Sequence, residues 1–228
     1  MTPHPFALRA LIFDLDGTLA DTLDAIRDGV NMTMEHFGYP LSSYDEVRLA
    51  VGNGARRLIA RRMPKPDADD PAQVDRVLAD YDASYAKTYR NTRSCYDGIP
   101  EAIATLRARG FRMAVLSNKQ DPYVRGIIEQ LFPAGTFDMV CGQTDLPTKP
   151  DPTVPLRIAR ALGVLPEECA MIGDSDVDIR TARNAGMCAI GCAWGFRGRE
   201  VLEQAGADVI AERPEELPGL VVLSPGRA

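Results

Sequence analysis

Histidine and tryptophan are nearly absent, with two of the first and one of the second in 228 residues. Two imidazoles, His4 and His36, leave a Cys/His zinc site short of ligands. The five cysteines, Cys95, Cys141, Cys169, Cys188 and Cys192, contain no CxxC pair and are odd in number. They read as reduced thiols of a cytosolic protein. Cys188 and Cys192 fall in an apolar stretch and read as core. Long hydrophobic runs are also missing: none approaches the roughly 18 apolar residues of a membrane helix. The start, MTPHPFALRALIFDLD, is too short in its apolar part for a signal peptide, and aspartates interrupt it. A cytoplasmic protein with no membrane partner is expected. Positive charge is not in excess: 26 Lys and Arg stand against 32 Asp and Glu, a net charge of -6. That argues against a dedicated nucleic-acid binder. It leaves room for small anionic substrates at a locally positive site.

No internal repeat or low-complexity segment is present. The chain is 45% hydrophobic and 25% charged, as an average globular protein is. Disordered, collagen-like and disulfide-scaffold classes are excluded. Apolar runs at 8–13, 111–116, 169–172 and 187–191 each stop abruptly at polar or glycine residues, as buried strands do. Helical patterns lie between them at 99–109, 121–131, 153–162 and 176–185. Alternation of this kind predicts βαβ units: an α/β fold with a doubly wound parallel sheet, covered on both faces. In such sheets ligands collect at the carboxyl ends of the strands. Residues 22–92 break the alternation and read as three helices, at 22–37, 44–63 and 72–90, with a proline-rich linker at 63–71. The expected division is a core of residues 1–20 and 93–228 and a helical cap of residues 21–92 inserted after the first strand. Such a block can close over the site as a lid; an ordinary helical subdomain is the plainer alternative. Tyr81, Tyr85 and Tyr89 stand four apart on its last helix, facing either the cap interior or a second copy. A monomer or a homodimer is accordingly expected.

The most informative stretch is Asp14-Leu15-Asp16-Gly17-Thr18. Two carboxylates this close at a strand end repel unless a cation or a shared proton intervenes. Magnesium, a hard cation that takes oxygen ligands, would satisfy them. Three later features suit the same chemistry. Ser117-Asn118 ends a strand with hydroxyl and amide donors. Lys149, in Thr148-Lys149-Pro150-Asp151-Pro152, can pair with a carboxylate and offset an incoming anion. Gly173-Asp174-Ser175-Asp176-Val177-Asp178 brings further carboxylates after a strand. Singly, these read equally as a loop cap, a solvated charge and a helix N-terminus. All four at strand ends of one alternating chain are not explained that way.

With these motifs the chain resembles the haloacid dehalogenase superfamily of aspartyl-nucleophile phosphohydrolases, whose core is Rossmann-like. The resemblance rests on Asp14, Asp16, Gly17 and Thr18, on Ser117, on Lys149, and on Asp174 and Asp178. Within the superfamily the chain is most similar to the phosphoglycolate phosphatase branch, through Val51-Gly52-Asn53-Gly54-Ala55-Arg56-Arg57-Leu58 and Trp194-Gly195-Phe196-Arg197-Gly198. The resemblance implies a small phosphorylated metabolite as substrate and Mg2+ as cofactor. It implies Asp14 as nucleophile, Asp16 as general acid and base, and Ser117 and Lys149 on the phosphoryl oxygens. Gly17, Thr18 and Asn118 would complete the phosphate site. Asp14, the Asp16 backbone carbonyl and Asp174 would hold the metal, with Asp178 behind them orienting Lys149 or a metal-bound water. Asp16 argues against the dehalogenase branch, because a departing halide needs no acid. Asn53, Gly54 and Arg56 are the cap candidates for a substrate carboxylate, with exposed backbone N–H groups preferred slightly over the arginines.

Overall fold

The apolar run at 8–13 splits at Arg9 in the computed structural model, which describes residues 5–92 and 94–225. Phe6–Leu8 (β1) pairs in parallel with Val221–Leu223 (β8) at the edge of the molecule. Ala10–Phe13 (β2) enters the main sheet instead. With Arg112–Gln120 (β3), Met139–Gln143 (β4), Cys169–Gly173 (β5), Cys188–Cys192 (β6) and Val209–Ala211 (β7) it forms six strands in the order β4-β3-β2-β5-β6-β7. Every pairing in the sheet is parallel. His4, and Arg93 at the start of the expected second core segment, lie outside the described residues.

The two-residue period of these strands feeds two cores. Leu11 and Phe13 of β2, Met113 and Val115 of β3, and Ala170 and Ile172 of β5 face one layer. There they meet Ile99–Ala108 (α5) and Asp121–Leu131 (α6) through Ile103, Leu106, Val124 and Ile127. The alternate residues Ala10, Ile12, Ala114, Leu116, Cys169 and Met171 face the other layer. Thr153–Leu162 (α7), Asp176–Ala185 (α8) and Arg199–Ala205 (α9) cover that side with Ile158, Ile179 and Leu202. Burial on both faces is why the strands read as unbroken apolar runs. The sheet is doubly wound, and β2 lies where the winding reverses, between β3 and β5.

After β2 the chain leaves the sheet for four helices: Leu23–His36 (α1), Tyr44–Ala50 (α2), Ala55–Arg62 (α3) and Pro71–Thr88 (α4). Asp70 caps α4 by accepting from Ala72 N, and Pro71 stands at its first position. The helices share their own apolar cluster, with Ile26, Val30 and Met34 of α1 against Val74, Val77 and Tyr81 of α4. Phe196, from the loop after β6, is the buried residue that the α/β layer contributes to it. The single helix expected at 44–63 is two helices. Val51 turns extended, and Gly52 and Gly54 adopt φ values of +112° and +84°, where a side chain would be strained. The resulting loop lies on the α/β layer. Asn118 Nδ2 donates to Gly52 O at 3.1 Å. Arg48 donates to Phe196 O at 2.5 Å, and Arg197 donates back to Leu49 O at 2.9 Å and Val51 O at 2.6 Å. The second difference is at β3, which runs on through Ser117 and Asn118 to Gln120, with a register shift beyond Leu116.

Candidate active site

Asp14 follows β2 directly, and its N–H still bonds Ile172 O of β5 at 2.9 Å. Asp174 follows the neighbouring β5, and Ser117 lies in β3 on the other side. Three adjacent parallel strands thus deliver the three motifs to one point. Lys149 reaches the same point from the loop before α7. Its ammonium, buried with 2% of the side chain exposed, lies 2.9 Å from Asp14 Oδ1 and 2.7 Å from Asp178 Oδ1. Leu15 N also donates to Asp14 Oδ1, at 2.7 Å. Both donors converge on Oδ1 and not on Oδ2.

The local sequence explains the rigidity of this end. Ser175 and Asp178 form a capping box at the start of α8: Ser175 N and Oγ donate to Asp178 Oδ2 at 3.1 and 2.6 Å. Asp178 therefore spends one oxygen on its helix cap and the other on Lys149. Asn118 fixes Lys149 by its backbone. Its Oδ1 accepts from Lys149 N at 2.8 Å, and its Nδ2 donates to Lys149 O at 3.0 Å. The side-chain amide of Asn118 is therefore committed to Lys149 and Gly52 and does not serve an anion. Gly17 has φ +80°, and a side chain there would strike the Asp174 carboxylate. Thr18 Oγ1 lies 3.5 Å from Asp174 Oδ1. Gly17 and Thr18 thus pack against Asp174 and do not line the cavity.

The carboxylates are costly where they stand. Burial pushes Asp14 up to about 7; Lys149 pulls it down, while Asp178 and Asp16 raise it. Burial likewise holds Asp174 well above the ordinary aspartate value, with Asp178 and Asp14 adding repulsion. Burial opposes the Lys149 ammonium, but Asp14 and Asp178 outweigh it and raise its pKa above the usual lysine value. The arrangement suits a hard cation: oxygens of Asp14, Asp174 and Asp178 can lie within 4.8 Å of one another, all buried. Both oxygens of Asp178 are engaged, with Lys149 and Ser175. Asp14 has its donors on Oδ1 alone, and Asp174 accepts from Phe196 N at 2.6 Å on Oδ2 and weakly from Thr18 on Oδ1. The Asp16 side chain is elsewhere, accepting from Thr22 Oγ1 at 2.6 Å and from Lys119 Nζ.

A cavity of about 60 Å³ opens from this point toward the cap, with Asp14, Asp16, Ser117 and Asp174 at one end and Gly54, Tyr81 and Tyr85 toward the other. It has room for roughly four to six waters. The cap candidates divide. Gly54 lines the cavity. The Asn53 side chain accepts from Arg61 at 2.9 Å. Arg56 turns outward to Asp75 at 2.8 Å and to Pro71 O, and does not line the cavity. Sequence reasoning does not single out Lys119, Thr22 or Arg48. A signal for Lys119 exists, as a lysine two residues beyond Ser117 on the same strand. The tyrosines pack inward: Tyr81 and Tyr85 stack at 5.5 Å, and Tyr123 of α6 meets Tyr85 edge-on at 5.0 Å. The five cysteines are free thiols, and burial raises the pKa of each. Among the described residues no helix is long and apolar enough to cross a membrane.

Residues 11–192 match the family model for haloacid dehalogenase-like hydrolases. The chain belongs to that family, and it is a phosphatase within it. It is 32% identical over 217 residues to a phosphoglycolate phosphatase of Pseudomonas putida, covering 92% of this chain and 79% of that one. It is 32% identical over 208 residues to the enzyme of the same name from Thiobacillus denitrificans, covering 89% and 91%. Among solved structures, a candidate phosphoglycolate phosphatase from Lactobacillus delbrueckii subsp. bulgaricus superposes with a TM-score of 0.86 at 30% identity. That match covers 95% of this chain and 99% of the other.

Proposed function

We propose that this phosphatase hydrolyses 2-phosphoglycolate to glycolate and phosphate, with Mg2+ as its cation and Asp14 as the transient phosphoryl carrier. The observation that carries the reading is the pairing of two aspartates with different surroundings in one small cavity. Asp14 is fixed by Lys149, while Asp16, two residues on, is held apart by Thr22 and Lys119. Unlike environments let one carboxylate act as nucleophile while the other carries a proton.

Asp14 Oδ2 attacks phosphorus, the bond from phosphorus to the glycolate oxygen breaks, and Asp16 protonates that oxygen. Asp16 then takes a proton from water as the water attacks phosphorus. The bond from phosphorus to Asp14 breaks and phosphate leaves. Ser117 and Lys149 hold the phosphoryl oxygens, and the positive charge of Lys149 offsets charge that develops on them. Asp178 acts through Lys149, orienting its ammonium. Asp14, Asp174 and the Asp16 carbonyl are the groups that would hold the magnesium, which supplies charge neutralisation between nucleophile and phosphate.

The cavity's size favours a small ester, and the relatives named above support phosphoglycolate in particular. Residues 21–92 act as the cap over a core of 1–20 and 93–228, with the protein a cytoplasmic monomer or homodimer. Phosphate release from a panel of phosphomonoesters, with and without magnesium, tests the reading on wild type and Asp14→Asn. Magnesium-dependent release, greatest for 2-phosphoglycolate and reduced at least ~10³-fold in Asp14→Asn, is expected. Equal turnover by Asp14→Asn would overturn it.

A further inference from the structure

The cavity carries a cation at its cap end that the phosphoryl chemistry leaves unused. Lys119 is on β3, two residues past Ser117, and its side chain is 8% exposed. Its ammonium is ion-paired with Asp16 and stands 5.2 Å from the centre of the Tyr85 ring. A buried ammonium needs an anion, and here the anion is a residue the reaction needs for another purpose. Asp16 does not depend on Lys119 in return, because Thr22 Oγ1 holds the same carboxylate oxygen at 2.6 Å.

The other cations nearby are committed. Lys149 is taken by Asp14 and Asp178. Arg197, which also lines the cavity, donates to carbonyls of Arg48, Leu49 and Val51 and ties the cap to the core. The cavity is otherwise acidic, lined by Asp14, Asp16, Asp82 and Asp174. Asp82 is on the cap helix α4 and accepts from Gln120 at 2.8 Å. A substrate with a second negative group therefore meets repulsion at the cap end unless Lys119 receives it.

We propose that Lys119 binds the substrate's carboxylate, exchanging Asp16 for it, and so selects phosphomonoesters that carry an anionic group beside the ester. The exchange frees the Asp16 carboxyl to turn to the leaving oxygen. A neutral ester of the same size leaves Lys119 on Asp16. The inference rests on the phosphoglycolate reading and adds to it the residue that enforces the choice. Lys119 takes the place that the exposed backbone N–H groups of Gly52 and Gly54 were expected to fill.

The test compares kcat/KM for 2-phosphoglycolate and ethyl phosphate in the magnesium-loaded full chain, for wild type, Lys119→Met and Lys119→Arg. The quantity read is the ratio of the two esters within each protein. Loss of a charged hydrogen bond predicts that the ratio falls roughly tenfold to a hundredfold in Lys119→Met, through KM for phosphoglycolate. Lys119→Arg, which keeps the charge, retains most of the preference. Equal losses on both esters would overturn the inference, because Lys119 would then act only through Asp16. A wild type that favours phosphoglycolate and a Lys119→Met that favours it as strongly would overturn the inference alone. A wild type without preference would overturn the phosphoglycolate reading and the inference together. If Lys119→Met does not fold, Lys119→Gln removes the same charge, and its ratio is read in the same way.

Discussion

Two lysines stand in one site, and they are held differently. Lys149 has two carboxylate partners, its backbone is clamped by Asn118, and one of its partners is locked into a helix cap. Lys119 has one carboxylate partner and an aromatic face beside it. The difference separates a part of the site built to stay fixed from a part able to exchange partners. The fixed part sits at the ends of strands buried on both faces. The exchangeable part sits where the cap meets the core through side-chain hydrogen bonds from Arg48, Asn118, Gln120 and Arg197 and the packing of Tyr123 and Phe196.

Removing each ammonium is the most forceful way to break the comparison. Lys149→Met strands Asp14 and Asp178 in the interior, and loss of one partner from a buried ion pair costs roughly 3–5 kcal/mol. Lys119→Met leaves Asp16 with Thr22, so a loss of no more than about 1–2 kcal/mol is expected. Urea unfolding of both variants without metal checks this, and equal losses would erase the distinction.

A pH series sharpens it next. Asp14 ionises at about 7 in the folded protein, against 3.8 for an unperturbed aspartate. Between those values the folded state holds more protons than the unfolded one, so stability of the metal-free protein falls as pH rises. Asp174, raised for the same reason, acts in the same direction. Melting in EDTA should be several degrees lower at pH 8 than at pH 5, and added magnesium should reverse the loss at pH 8. Asp14→Asn should flatten the profile. A metal-free profile that rises with pH in this window would contradict the assigned burial cost.

The cap contact gives the smallest effect. Arg48→Ala removes the hydrogen bond to Phe196 O, worth about 1 kcal/mol. Because the bond joins cap to core, KM for the substrate should rise a few-fold with little change in kcat. Steady-state kinetics decide it, and a fall in kcat alone would mean the contact does not serve closure.

The same contrast shows what is legible in the sequence. Strands β2, β3, β5 and β6 announce themselves because burial on both faces makes them continuous apolar runs. The loop chemistry after them is local, so Asp14, Asp16 and Asp174 can be picked out by position. Strands β7 and β8 have three residues each, too few for a periodic signal. The helix expected at 44–63 fails because the two glycines that divide it act as helix breakers, whereas the sequence pattern presents them as amide donors. Arg56 is a plausible substrate ligand on charge alone, yet Asp75 of α4 claims it from across the cap. Lys119 is the converse case: its place two residues past Ser117 is a weak signal, and its partners, Asp16 and Tyr85, are brought to it only by the fold.

The most direct test of the account is where the phosphoryl group goes. Wild type turning over 2-phosphoglycolate with magnesium would be quenched in acid within one turnover and its peptides weighed. A phosphoryl group on the peptide carrying Asp14, absent from Asp14→Asn, is the predicted result. A phosphoryl group on another residue, or turnover with no protein-bound phosphoryl at any quench time, would contradict it.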